Sequence, residues 1–197
     1  MLALPFGQAP GGGTLADLRY AWGNDGYSAS LEYAGEVAAQ AVRTKGPILE
    51  CGTGFTTILL GILAAHHGIE VWCLEQSSEW YRRINATLYR LQIPNIHVSH
   101  VRMREYGEFH WYDPPLQSMP GQFRLVICDG PPGSTLGGRF GLLPVMGAHL
   151  RPEAVVLLDD TQRSTEIETI RRWQATHPMS VEHKQVGSRS FAIITLM

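Results

Sequence analysis

Three aspartates close two apolar runs. Asp129 follows Leu125-Val126-Ile127-Cys128, and Asp159 and Asp160 follow Val155-Val156-Leu157-Leu158. If both runs are parallel strands of one sheet, the three carboxylates converge at its carboxyl end. An oxygen-only donor set of that kind suits a hard divalent cation with waters completing its shell. Without a metal, mutual repulsion raises the pKa of one carboxylate and leaves it as a general base. A plainer reading has Asp129 contacting a ligand, Asp159 stabilising the turn over 161–165 and Asp160 solvated. The sequence keeps all of these open.

A second group of residues is built for binding. The run Pro47-Ile48-Leu49 leads into Glu50-Cys51-Gly52-Thr53-Gly54-Phe55-Thr56-Thr57. Two glycines let the backbone approach a ligand closely, and a helix starting after them offers unpaired N–H groups to a carboxylate. The next apolar run ends in Glu75-Gln76, 25 residues beyond Glu50, where a carboxylate can accept hydrogen bonds from a ribose diol. Dinucleotide sites share the Gly-x-Gly turn, but they place a third small residue three positions after the second glycine, where this chain has Thr57. Glu50 would also repel a pyrophosphate. Both features favour a nucleoside-like ligand that carries positive charge and no phosphate.

The elements that must position these groups alternate. Strand candidates cover 48–51, 70–74, 96–101, 123–129 and 154–159, and their unbroken apolar character suits parallel strands covered on both faces. Helical spacing predicts helices over about 29–44, 56–67, 78–91, 138–149 and 164–176. Ser28 or Ser30 is expected to cap the first, and Thr165 with Glu168 to form a capping box on the last. Val181 to Val186 and Ser190 to Leu196 are joined by Gly187-Ser188, too short for a crossover helix and suited to an antiparallel hairpin. The segment from Arg104 to Gln122 reads as a long loop rich in aromatic residues and proline. Residues 1–27 read as an N-terminal arm and 28–197 as one domain.

Composition narrows the partners. With 197 residues, 44% of them hydrophobic, and a formal charge of -2, the chain can bury one core but shows no basic stripe for phosphates and no polybasic tail for lipid. Nucleic acid and membrane are therefore disfavoured, and a small-molecule partner is expected. A homo-oligomer is compatible with the sequence but finds no support in it. The longest apolar run, Ile58 to Ala65, is too short to cross a bilayer. The Pro/Gly-rich N-terminus lacks the basic start of a signal peptide, so a cytoplasmic location is expected. Cys51, Cys73 and Cys128 lack metal-ligand spacing and read as small buried hydrophobes.

The five strand–helix units, the closing hairpin and the acidic-x-Gly-x-Gly turn together resemble the class I S-adenosylmethionine-dependent methyltransferases over nearly everything after residue 28. The resemblance implies a Rossmann-like, doubly wound α/β sheet of seven strands, mostly parallel with an antiparallel C-terminal hairpin strand. It implies S-adenosylmethionine as cofactor, bound by Glu50, Gly52, Gly54, Thr56, Thr57, Glu75, Gln76 and Asp129. Met103 and Arg104 would lie by the adenine, although the aspartate usual there is absent. The loop Asp129-Gly130-Pro131-Pro132-Gly133 with the pair Asp159-Asp160 is similar to small-molecule O-methyltransferases that hold magnesium. That implies Asp129, Asp159 and Asp160 as catalytic and metal-binding residues, with Mg2+ or another divalent cation as a second cofactor. Methyl transfer to a small-molecule hydroxyl is the expected activity. The alternatives are a cofactor-binding regulatory protein without turnover and an NAD(P)-dependent oxidoreductase. His110, His149, Arg139 and Arg163 are further candidates for proton transfer or substrate anchoring, and Trp22, Tyr27 and Trp111 for walls of the acceptor site.

Overall fold

The computed structural model describes residues 7–23 and 28–197. Seven strands form one sheet in the order β3-β2-β1-β6-β7-β9-β8. These are β1 (Ile48–Cys51), β2 (Val71–Glu75), β3 (Ile96–His100), β6 (Phe123–Cys128), β7 (Leu150–Leu158), β8 (Met179–Val186) and β9 (Arg189–Leu196). All neighbours are parallel except β9, which runs antiparallel to both β7 and β8. The β8–β9 pairing runs from Met179↔Leu196 to Val186↔Arg189, leaving Gly187 and Ser188 as the turn, with Gly187 at φ 57. Glycine takes that left-handed conformation without the steric cost a β-carbon brings.

Among the described residues six α-helices accompany the sheet: α1 (Gly12–Trp22), α2 (Leu31–Arg43), α3 (Phe55–His67), α4 (Ser78–Leu91), α5 (Leu142–Met146) and α6 (Ser164–Thr176). The pleat of the sheet sends alternate side chains to opposite faces. Leu49 and Cys51 join a core with Leu142, Met146, Ile170 and Trp173 from α5 and α6. Ile48 joins a second core with Val37 and Ala38 of α2 and Leu59 and Leu63 of α3. A sheet buried on both faces explains why its central strands are largely apolar, with Glu50 a buried exception in β1. Trp173 is wholly buried and its indole N–H donates to the Phe140 carbonyl at 2.8 Å. Truncating such a ring to alanine costs about 3–5 kcal/mol.

Several local expectations are revised. Helix α1 forms within the stretch read as an arm and seats Leu15 in the second core. The segment 104–122 is not one loop: β4 (Met103–Glu105) pairs antiparallel with β5 (His110–Tyr112), and a 3-10 turn follows at Leu116–Ser118. Ser30, not Ser28, caps α2, its hydroxyl accepting from the Tyr33 N–H. The capping box at α6 does not form, because the Thr165 hydroxyl donates to Glu166 and Glu168 pairs with Arg171. Among the described residues no helix is long and apolar enough to cross a membrane.

Candidate active site

Chain order places the ligand crevice. From β1 the chain steps outward to β2 and β3, then returns to β6 on the other side of β1. In open α/β sheets ligands bind beyond the carboxyl ends of the strands where the order reverses, here between β1 and β6. A cleft of about 330 Å3 opens there, within the range of small-molecule sites. The turns after β1 and β6 touch at its floor. Gly52 has φ 85, and a β-carbon on it would come within 3.0 Å of the Gly130 backbone. The Gly130 N–H donates to the Cys51 carbonyl at 2.6 Å. Neither glycine tolerates a side chain without separating the two turns.

The cleft has one end shaped for binding. Gly52, Gly54 and Thr56 line it with Glu75 and Gln76, at the start of α3 and the end of β2. A β-carbon on Gly54 would meet no atom within 4 Å, so the turn leaves open space over the backbone. Glu75 is buried and accepts from the Thr53 N–H at 2.9 Å, the Thr53 hydroxyl at 2.6 Å and the Ser77 N–H at 2.7 Å. Those bonds leave Oε1 a free lone pair and fix the carboxylate toward the cleft. Two polar atoms on the cleft wall, Gln76 Oε1 and the Tyr112 hydroxyl, are buried and have no hydrogen-bond partner. Unpaired buried polar groups are costly and mark places where a ligand completes the bonding.

Glu50 and Thr57 lie outside this cleft. Alternation along β1 turns Glu50 to the α3 face, where it is wholly buried. There it accepts from the hydroxyls of Thr56 and Thr57, both at 2.7 Å, and from the Cys73 thiol at 3.1 Å. Thr57 in turn accepts from the Gly54 N–H at 2.9 Å. Glu50 thus braces the glycine turn from beneath instead of touching a ligand. Burial pushes its pKa up to about 7 against the pull of the three bonds. Met103 and Arg104 also fall away from the cleft: they sit on β4, and Arg104 turns to Asp113 at 3.3 Å and to the Tyr106 ring.

The other end of the cleft carries the acids. Asp129, Asp159 and Asp160 each offer one carboxylate oxygen within 4.8 Å of the others, and all three line the cleft. Arg139, also on the wall and 1% exposed, lies among them. Its Nη1 donates to the Asp159 carbonyl. Its Nη2 donates to the Asp129 carbonyl at 2.6 Å, to Asp129 Oδ1 at 3.0 Å and to Asp160 Oδ2 at 3.0 Å. Arg163 Nη2 reaches the same Asp160 oxygen at 2.9 Å. Asp159 accepts from the Asp160 N–H at 2.8 Å. Burial, with Asp129 and Asp160 beside it, raises the Asp159 pKa to about 7.

The spacing of the three oxygens suits a hard cation, but the charges around them do not. A divalent ion bonded at about 2.1 Å to Asp129 Oδ1 or Asp160 Oδ2, the oxygens that bond Arg139, would lie within about 5 Å of Arg139 Nη2. At an effective dielectric of about 20 that pair alone repels by roughly 7 kcal/mol, which offsets part of the attraction to the carboxylates. Swinging Arg139 aside would instead break its bonds to two main-chain carbonyls. The residues present do not fit a divalent metal.

Of the remaining candidates, Arg163 lines the cleft, whereas His110, His149, Trp22 and Trp111 are not on its wall. Trp111 is wholly buried, and Tyr112, its neighbour on the opposite face of β5, takes the place on the wall. Trp22 supports the wall indirectly by stacking on Trp80, with centroids 6.1 Å apart and the Arg83 guanidinium over both rings. Tyr27 lies outside the described residues. Tyr112, Trp80 and Arg189 are wall residues that the motifs did not single out. For Tyr112 no local pattern was usable, because the three-residue β5 exists through its pairing with β4.

No protein-family model matches the sequence, and no curated protein matches it. Solved structures do. An O-methyltransferase from Bacillus cereus in complex with SAH aligns at TM-score 0.64 and 18% identity, over 95% of this chain and 92% of that one. A SAH-bound methyltransferase from Podospora anserina aligns at 0.65 and 13% identity, over 93% and 87%. A precorrin-6y C5,15-methyltransferase from Geobacter metallireducens aligns at 0.61 and 14% identity, over 87% and 90%. The chain therefore has the class I methyltransferase fold, as its sheet order and closing antiparallel strand also define it.

Proposed function

We propose that the chain is an S-adenosylmethionine-dependent methyltransferase acting on a hydroxyl of a small-molecule acceptor. The observation that carries this reading is the division of the cleft: glycine turn, Glu75 and the unpaired Gln76 and Tyr112 atoms at one end, acids and arginines at the other. The SAH complexes on the same fold support the choice of cofactor. The first end suits a nucleoside with an amino-acid tail, and no lysine or arginine lines the turn to meet a pyrophosphate.

When bound, S-adenosylmethionine would supply a methyl group on a sulfonium, and the electron pair of the broken C–S bond would stay with sulfur. Gly52, Gly54 and the α3 N–H groups would hold the ligand backbone-close, and Glu75 Oε1 would accept from a ribose hydroxyl. Asp129 is the trio member most open to the cleft, its side chain 29% exposed against 13% for Asp160. With Oδ1 on Arg139, its other oxygen accepts the acceptor's hydroxyl proton as the acceptor oxygen bonds to the methyl carbon. Holding acceptor and donor in line contributes roughly 7–11 kcal/mol in such reactions. Incubation with methyl-labelled S-adenosylmethionine and a panel of phenols, catechols, sugars and amines tests the proposal. Label in an O-methyl product with equimolar S-adenosylhomocysteine supports it, and label appearing only on amines or carbon refutes the acceptor assignment.

A further inference from the structure

We infer that Arg139 is the resident cation of the acceptor end, so that Asp129, Asp159 and Asp160 form an acid–guanidinium centre which orients the acceptor without a divalent metal. The inference rests on the proposed function for the acceptor it orients, but its test reads metal binding directly, so its failure and the failure of that activity are distinguishable.

The chain is built to deliver this guanidinium. Gly137 and Gly138 precede it at φ 80 and 56. A β-carbon on Gly137 would strike Phe109, and one on Gly138 would press on Thr165 at 3.3 Å. Two consecutive left-handed glycines turn the backbone between packed neighbours and send Arg139 inward. Once there, it is no surface ion pair. Its Nη atoms reach the strand-end carbonyls of Asp129 and Asp159 and one carboxylate oxygen each of Asp129 and Asp160. One side chain thereby ties the loops after β6 and β7 together, which is the bridging work a metal would do there.

The charges come close to balance. Four carboxylates, the three aspartates and the buried Glu166 3.9 Å from Arg139 Nε, face Arg139 and Arg163, and a third guanidinium, Arg189, is on the same wall. Burial works against the charge on Arg139, but the acids around it, Asp129 first, outweigh that and hold its pKa above the ordinary value. It stays charged at any working pH. Arg139 is thus a positioning residue: it fixes the Asp129 and Asp160 carboxylates while leaving the second oxygen of Asp129 for the acceptor.

Titration with Mn2+, followed by electron paramagnetic resonance with and without S-adenosylhomocysteine, tests this on the intact protein. The wild type is expected to bind no stoichiometric Mn2+ at millimolar concentration and to keep its Tm in excess chelator. Arg139→Gln is expected to bind Mn2+ at least about tenfold tighter than wild type, and Asp160→Asn in that background to lose the gain. Arg139→Lys disturbs the same bonds but keeps the charge, and is expected to bind none. If Arg139→Gln does not fold, the wild-type titration decides alone. One Mn2+ per wild-type chain, lost in Asp160→Asn, would overturn the inference, as would a folded Arg139→Gln without gain.

Discussion

Replacing Glu50 by glutamine converts its burial into a measurable pH dependence. In the folded chain its pKa stands at about 7 against an ordinary 4.5, because burial disfavours the carboxylate. Between those values the folded state holds a proton that the unfolded state has released, so stability falls as pH rises from about 4.5 to 7 and is level above. The shift corresponds to about 3 kcal/mol lost by pH 8. Glutamine cannot ionise and escapes that loss. It still accepts from Thr56 but disturbs the bonds to Thr57 and Cys73, at a pH-independent cost of about 1–2 kcal/mol. The difference between wild type and Glu50→Gln should therefore move by about 2.5 kcal/mol in the variant's favour from pH 5 to pH 8. That equals a Tm change of roughly 5–10 °C in a domain of this size. Asp159 also titrates near 7 but does so in both proteins and cancels. Urea or thermal unfolding at pH 5, 6, 7 and 8 measures the difference. A pH-independent difference, or one favouring wild type more at high pH, would refute the description of Glu50 as a buried, reluctantly ionised brace.

Gly52→Ala forces a β-carbon into left-handed backbone against Gly130, and is expected to cost about 1–3 kcal/mol of stability and most of the affinity for S-adenosylhomocysteine, read by unfolding and calorimetry. Tyr112→Phe removes an unpaired buried hydroxyl from the cleft wall. The ligand-free protein should be as stable as wild type or more so, while affinity for the bound nucleoside or acceptor drops roughly threefold to tenfold; equal binding with lower stability would show that the hydroxyl is satisfied within the protein. Asp129→Asn should lower kcat by about 10²–10⁴ with little change in S-adenosylhomocysteine affinity, and an unchanged kcat would remove Asp129 as the proton acceptor.

The central strands and helices α2, α3, α4 and α6 were legible because burial on both faces makes β1, β2, β6 and the second half of β7 largely apolar, whereas the helix expected over 138–149 is only Leu142–Met146. Short or weakly patterned elements were not. Helix α1 contains two glycines and buries only Leu15, so its helicity depends on packing against α2 and α3. Strands β4 and β5 have three residues each and gain stability from pairing with one another. Strand β7 begins at Leu150, earlier than its apolar core suggests, passing through Glu153 at φ 63. The residues that the strand-end motifs singled out and that line the cleft are the glycine turn, Glu75, Gln76 and the aspartates. Motif spacing without face assignment misplaced Glu50 and Thr57, although the two-residue alternation of β1 points Glu50 the way of Ile48. Arg139 is a candidate for proton transfer or substrate anchoring in the sequence, but its position among the three aspartates depends on α5 and the loops closing together. Trp80 and Arg189 reach the wall from distant elements, which no local pattern encodes.

Isothermal titration of the protein with S-adenosylhomocysteine, and separately with NAD and NADP, tests the central claim most directly. Saturable binding of one S-adenosylhomocysteine per chain, weakened by Glu75→Ala and absent for both dinucleotides, is the predicted result. Tight binding of NAD or NADP with none of S-adenosylhomocysteine would contradict it.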